Sequence, residues 1–549
     1  MTTIDPVTFE VIASGLQSAA EEMGAVLKRS SYSPIIRDMD DFSCAMFSAE
    51  GDLFAQADYI PAQLGAMSLV VRSILQEWSD ELSDGDVFLC NHPYRGAMHL
   101  PDVNVVAPVF RDGRLIAWAG TAAHHIDVGG VNPGSEGPEL QDLFAEGLIM
   151  PPVRLCIAGR ESRDVVALVS SNIRDPLSTV SDLRAQRAAC DLGRQRLLEL
   201  IDAYTWPVTS TVITRMLDQS EAAVRHALTS LPDGYAEAEG FLDDDGRGGP
   251  PTRIHVAVRK VHDQLTVDLS GSASQVAGAM NVPWASTRAG VVYAVRSMLG
   301  VEVGANDGLM RAVEIRCPQG SVLNPHPPAA VSVRHNTCQR LADTIIRALG
   351  ELWPERAVAS STVAFFCVNL ESTSPVTGRP SVMVDVMGGG TGATAFGDGV
   401  DGVDTYMSNV GLMPVEVAET NYRVRVLRTE LIPESRGIGR HSGGMGLRRD
   451  YEVLEDQARA TFYSEQTDSR FAPQGRAGGG AGAPTRITLI DADGMQCPAP
   501  TKASMVLHAG TILRVETSGG GGYGDPATPE SATPPSAESS TSESTGGAA

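Results

Sequence analysis

Lysine is nearly missing from this chain: Lys28, Lys260 and Lys502 are the only ones among 549 residues. A phosphate cradle of the G-x-x-x-x-G-K-[ST] type needs a lysine behind its glycines, and none of these stands in such a setting. Basic clusters are missing too. With 43 Lys and Arg against 67 Asp and Glu, the formal net charge is −24, which argues against a nucleic-acid partner because phosphate binding rests on grouped cations. No run of about 18 uninterrupted apolar residues occurs, so no membrane span is expected. The opening MTTIDPVTFEVI has acids and no basic stretch, and it does not read as a secretory signal. None of the 8 cysteines forms a C-x-x-C pair. Scattered in this way they read as small buried apolar residues, suited to a reducing cytoplasm. The G-x-S-x-G elbow of serine hydrolases and the H-E-x-x-H of zincins are absent as well.

Glycine is abundant, yet its patterns lack the context of nucleotide loops. Gly397-Asp-Gly399-Val-Asp-Gly402 matches G-x-G-x-x-G, but Asp398 and Asp401 would repel a pyrophosphate and no amphipathic helix opens behind them. Gly388–Gly392 follows a strand-like run without G-K-[ST]. Both read as tight turns or close backbone approaches.

What is present is a globular composition, 42% hydrophobic and 20% charged, in a chain long enough for about two to four packed units. Asp5-Pro6 opens a helix on which Phe9, Ile12, Leu16, Ala20, Met23 and Leu27 recur at helical spacing. After Pro34 the period shortens, and FSCAMF, DLFAQA, VNVVAPVF and RLIAWAGTAA read as strands. Helices are expected over 181–204, onward to about 230, over 286–299 and after Cys338, with an antiparallel hairpin over 253–270. Beyond 371 glycine becomes dense and strands dominate. The reading is an α+β, multidomain chain: residues 1–234, an N-terminal α/β region with a metal site; 235–370, a central α+β region; 371–526, a glycine-rich, β-dominated region. The Ser, Thr, Pro and Glu-rich stretch 527–549 reads as a disordered tail.

Chemistry concentrates between Asp38 and Pro152. CNHPYRGAMHLPD and GTAAHHIDVGGVNPGS together supply His92, His99, Asp102, His124, His125 and Asp127. Imidazoles with carboxylates suit Zn, Mn or Fe(II) rather than Ca or Mg. Pro101 forces an irregular turn that lets His99 and Asp102 converge. His124 and His125 arrive as a buried strand ends; neighbours on a strand face opposite ways, so one of them faces a given site and the other packs or supports a ligand.

These blocks resemble those of the hydantoinase B/oxoprolinase family, whose members include N-methylhydantoinase, lactamase and acetone- or acetophenone-carboxylase subunits. The resemblance runs from Asp5 to Pro526 through DPVTFEVI, Asp41-Phe42-Ser43, HPYRGAMHLPD, AHHIDVGG, PGS, EGLIMPPVRL, QVAGAMN, NPHPPAAVSVR, SNVGLMPVE and GGGGYGDP. It implies a divalent metal on Asp41, His99, Asp102 and His124. The chain departs from the family at Asn91-His92-Pro93-Tyr94, where N-D-P-Y is usual, and at Gln63, where histidine is. Both departures bear on the metal's surroundings or on the choice of substrate.

The resemblance further implies a division of labour in a hetero-oligomer. A hydantoinase A-like partner binds ATP and Mg and phosphorylates the amide oxygen of a small cyclic amide. This chain then holds the activated ring by a metal-bound hydroxide that attacks the carbonyl, with His125 and Asp127 as proton-handling or supporting groups. The alternatives are a ketone carboxylase component that consumes bicarbonate, and a metal-containing scaffold that only organises the ATPase.

Overall fold

Asp5 caps the first helix, α1 (Pro6–Ser30), by accepting from the Thr8 amide at 3.0 Å. The apolar stripe expected from the spacing is buried along it. In this computed structural model residues 4–57, 59–300 and 305–527 are described. Apart from Ala527, the expected tail lies outside the described residues.

α1 covers a seven-stranded sheet built from β1 (Phe42–Ser48), β2 (Leu53–Ala57), β3 (Val87–Cys90), β4 (Asp102–Arg111), β5 (Arg114–His124), β6 (Val153–Ile157) and β7 (Arg160–Glu161). Its order is β2-β1-β5-β4-β3-β6-β7, with antiparallel pairing throughout. Both faces are buried, which is why the strands read as continuous apolar runs rather than alternating ones. Alternation still sorts the side chains. Ala45, Phe47, Val106 and Trp118 join a cluster with Met67 and Val70 of helix α2 (Met67–Trp78). Cys44, Met46, Val105 and Ala119 join the main core, which includes residues of α1 and of α3 (Pro176–Tyr204). Helix α4 (Trp206–Ser230) follows α3 directly.

A second sheet of four strands contains the expected hairpin, Thr252–Val261 with Gln264–Asp268, and packs against α6 (Arg334–Leu352). Helix α5 (Trp284–Leu299) lies against α6. Beyond it, a four-stranded sheet places Pro380–Met387 beside Phe366–Thr373, Ala458–Tyr463 and Lys502–Leu507. A five-stranded sheet completes the C-terminal half. Of the expected boundaries, 234 coincides with the start of a strand, Gly234–Leu242, and 370 falls inside the strand Phe366–Thr373.

The glycine-dense segments pack backbone on backbone. Gly520 donates to the Gly444 carbonyl at 2.9 Å, and Gly444 to Thr391 at 2.8 Å. A Cβ on Gly390 would stand 1.9 Å from the Gly444 oxygen, and one on Gly520 1.8 Å from the Thr391 oxygen. Only glycine permits such an approach. The 397–402 loop docks on this layer: Asp398 and Asp401 accept from the Ser442 and Met445 amides, each at 2.7 Å. Among the described residues no helix is long and apolar enough to cross a membrane.

Candidate metal centre

One end of the seven-stranded sheet gathers the polar side chains. Asp102 opens β4 and His124 closes β5, and the two are register partners. Asp41 immediately precedes β1, and its carbonyl accepts from the His124 amide at 3.1 Å. Asp41, His124 and Asp102 therefore stand in a row across three adjacent strands. His99 reaches the same point from the turn before β4, where the Asp102 amide donates to the His99 carbonyl at 3.1 Å.

The donor atoms converge. His99 Nε2 lies 3.2 Å from His124 Nδ1 and 3.3 Å from Asp102 Oδ2, and His124 Nδ1 lies 3.5 Å from Asp102 Oδ1. All are buried. His99 Nδ1 donates to the Ser332 carbonyl at 3.1 Å, which leaves the lone pair on Nε2, facing the other donors. His99, Asp102 and His124 form a set whose ligand atoms lie within 4.8 Å of one another. Asp41 lines the same cavity without joining that set.

Residues from far along the chain complete the surroundings. Arg334, the first residue of α6, donates to Asp102 Oδ2 at 2.5 Å. Glu136 lies 3.5 Å from His99 Nδ1 and 3.1 Å from His335 Nε2. Glu136 Oε2 accepts from the Tyr463 hydroxyl at 2.8 Å and from Asn369 at 3.0 Å. His99, Glu136 and His335 make a second buried donor set that shares His99 with the first. Sequence spacing did not single out Glu136, Arg334, His335 or Tyr463. The available signals were that Glu136 directly follows the PGS block, and that Arg334 ends the NPHPPAAVSVR run with His335 next to it.

Electrostatics decide whether a cation fits. Burial pushes the Asp41 carboxyl up to about 7, against the pull of His124 and with the Asp102 charge adding to the rise. Burial also opposes the charged form of His124, yet its hydrogen bond to Asp102 and the charges of Asp41 and Glu136 raise it to about 9. Asp102 and Glu136 are held well below the usual carboxylate range, against burial, by His99 with Arg334 and by His335 respectively. Burial brings His335 down to about 4. The three carboxylates thus draw positive charge: Arg334 supplies one, and the rise of His124 takes up a proton where another is wanted. His124 Nε2 has no hydrogen-bond partner among the described residues. Imidazole and carboxylate donors with an unmet demand for positive charge fit a divalent Zn, Mn or Fe ion.

Two sequence candidates lie elsewhere. His125 turns to the opposite face of β5, as strand alternation requires, and its Nε2 meets Gln186 of α3 at 2.9 Å. Asp127 pairs with Arg174 at 2.7 Å and accepts from the Gly129 amide at 3.0 Å. Neither lines the cavity. The family departures divide likewise. Gln63 lines the cavity, and its Oε1 is buried with no partner among the described residues. His92 instead accepts from the Tyr94 amide at 3.3 Å and is not a lining residue.

Comparison with known proteins gives a consistent picture. The model of the Hydantoinase B/oxoprolinase family matches residues 5–526. The B component of a putative D-/L-hydantoinase from Pseudomonas sp. (strain NS671) is 34% identical, over 95% of this chain and 90% of its own. A 5-oxoprolinase of Arabidopsis thaliana is 32% identical over 95% of this chain, which spans only 42% of that protein. The crystal structure of an ATP-dependent caprolactamase from Pseudomonas jessenii superposes with a TM-score of 0.90 at 28% identity, over 97% of this chain and 93% of that one.

Proposed function

The chain belongs to the hydantoinase B/oxoprolinase family, and on that premise we propose that it is the B-type subunit of an ATP-dependent enzyme that hydrolyses a cyclic amide. The observation that carries the reading is the convergence of His99, Asp102 and His124 on a cavity that Asp41, Glu136 and His335 also line. Its partner is a hydantoinase A-like chain that binds ATP and Mg and phosphorylates the amide oxygen. The free cysteines, most of them buried, suit the reducing cytoplasm where ATP is available.

Amides resist water because the carbonyl is weakly electrophilic and the nitrogen leaves poorly. His99, Asp102 and His124 would hold a divalent Zn, Mn or Fe ion, with Asp41 beside them as a further carboxylate. Such an ion polarises a carbonyl and acidifies water enough to supply hydroxide at neutral pH. The remaining residues orient and exclude. Arg334 fixes the Asp102 carboxylate. Glu136 braces both His99 and His335. His335, held at Nε2 by Glu136 and by the Tyr463 hydroxyl at 2.7 Å, lines the cavity where a proton must reach the departing nitrogen.

The test uses the purified chain with its ATPase partner on hydantoin, 5-oxoproline and larger lactams. Opening of at least one ring is expected to need ATP and bound metal, and to be lost in His99→Ala and His124→Ala. Bicarbonate consumption with formation of a C–C bond would establish a carboxylase instead. Unchanged metal content and activity in both variants would overturn the reading.

A further inference from the structure

Resting on that reading, the orientation of His99 has a support of its own behind it. Its Nδ1 donates to the Ser332 carbonyl at 3.1 Å, and that bond keeps the Nε2 lone pair toward Asp102 and His124. Ser332 is buried but belongs to no helix or strand. Its carbonyl therefore stays in place only through bonds that the stretch around it makes with the rest of the chain. Several such bonds exist. The Pro328 carbonyl accepts from the Leu143 amide at 2.8 Å, the Ala329 carbonyl from the Tyr94 hydroxyl at 2.8 Å, and the Ala330 carbonyl from Asn281 at 3.0 Å. The next two amides, of Val331 and Ser332, both donate to one oxygen of Glu146 at 2.6 Å.

Glu146 ends the short helix Leu143–Glu146, where Asp142 accepts from the Ala145 amide at 3.1 Å. It is fully buried, and its second oxygen has no partner among the described residues. A carboxylate is an unfavourable choice for such a place, since burial opposes its charge. Glu146 does not line the cavity, so it reaches the donor set only through the stretch it grips. That stretch has wide leverage. The Gly137 amide, next to Glu136, donates to Ser332 Oγ at 3.3 Å, and α6 opens with Arg334 and His335 two residues further on. A shift of Ser332 would disturb His99, Glu136 and Arg334 together.

We propose that Glu146 is a positioning residue of the metal centre: by gripping the Val331 and Ser332 amides it fixes the carbonyl that sets the tautomer and angle of His99.

The experiment is titration of the metal-free, full-length chain with Co(II), read by visible absorption, after circular dichroism has shown each variant folded. Removing the support behind a metal ligand lowers affinity by about 10- to 100-fold. Glu146→Ala is accordingly expected to bind Co(II) at least tenfold more weakly, with an altered ligand-field spectrum. Should it not fold, Glu146→Asp, a methylene short of the amides, takes its place with the same expectation. Glu146→Gln still offers an oxygen to both amides and is expected to recover affinity and spectrum. In a His99→Ala background the loss of Glu146 is expected to add little, because the group it positions is gone. Unchanged Co(II) binding in the folded Ala or Asp variant overturns the proposal. So do a Gln variant as weak as Ala, a full additive loss in the His99→Ala background, and failure of the unaltered chain to bind Co(II). Co(II) binding that depends on Glu146, in a complex that opens no ring with ATP, would support the positioning while removing the hydrolase reading beneath it.

Discussion

Asp102 and His124 face each other as register partners across β4 and β5, with His124 Nδ1 3.5 Å from Asp102 Oδ1. A sheet fixes such a pair more firmly than a loop can, because neither side chain can move along its strand without breaking backbone hydrogen bonds. His99 supplies the third donor from a turn held by Pro101.

Removing a donor should therefore separate metal binding from folding. His99→Ala and His124→Ala are expected to lower bound metal at least tenfold and ring opening at least a hundredfold, with secondary structure intact. Elemental analysis and circular dichroism check this. His125→Leu is expected to behave in the opposite way. It keeps the metal but loses the hydrogen bond to Gln186, at about 1–3 kcal/mol of stability.

Arg334→Met leaves Asp102 buried without its guanidinium. Breaking one side of a buried ion pair costs roughly 3–5 kcal/mol. Urea unfolding of the metal-free protein should show a lower midpoint at unchanged m-value, and Arg334→Lys should recover only part of the difference.

Glu146 gives a pH signature away from the donor set. One of its oxygens accepts from the Val331 and Ser332 amides at 2.6 Å each, while the other is buried without a partner among the described residues. Burial raises its carboxyl to about 8. A carboxyl whose folded pKa exceeds its unfolded one gives stability that is complete below the unfolded value and lost as pH rises through the folded value. Melting temperature should thus fall between about pH 4.5 and 8 by the equivalent of a few kcal/mol. Glu146→Gln should flatten that fall, and an unchanged slope would count against the assignment.

The glycine layer predicts a sharp contrast between neighbours. Gly390→Ala and Gly520→Ala drive a methyl into a backbone oxygen and should destabilise by more than about 3 kcal/mol or abolish soluble expression. Gly397→Ala has nothing within 4 Å of the added carbon and should stay within about 0.5 kcal/mol. Thermal melts and soluble yield distinguish them.

Much of this could be read from the chain itself. The helical stripe of α1, the runs that became β1, β2, β4 and β5 and the 253–270 hairpin follow from periodicity. The division of labour between His124 and His125 follows from strand alternation. Asp41 came only through resemblance, since nothing local marks it. Glu136, Arg334, His335 and Tyr463 escaped because packing brings them in from across the molecule; His99 and Ser332, for example, lie 233 residues apart. Asp127 sits close to His124 in sequence, but its carboxylate is taken by Arg174 and by the Gly129 turn, where φ is +86°. Proximity along the chain is no guide once a glycine turn redirects it.

The cavity draws its walls from Ile35 at one end of the sequence to Tyr463 near the other. No fragment of the chain can assemble it, so a synthesis-arrested or partly unfolded molecule has no place for the ion. Uptake of a metal would then act as an inspection at the end of folding: only a finished molecule would be loaded, and the loaded state would in turn hold the finished molecule together.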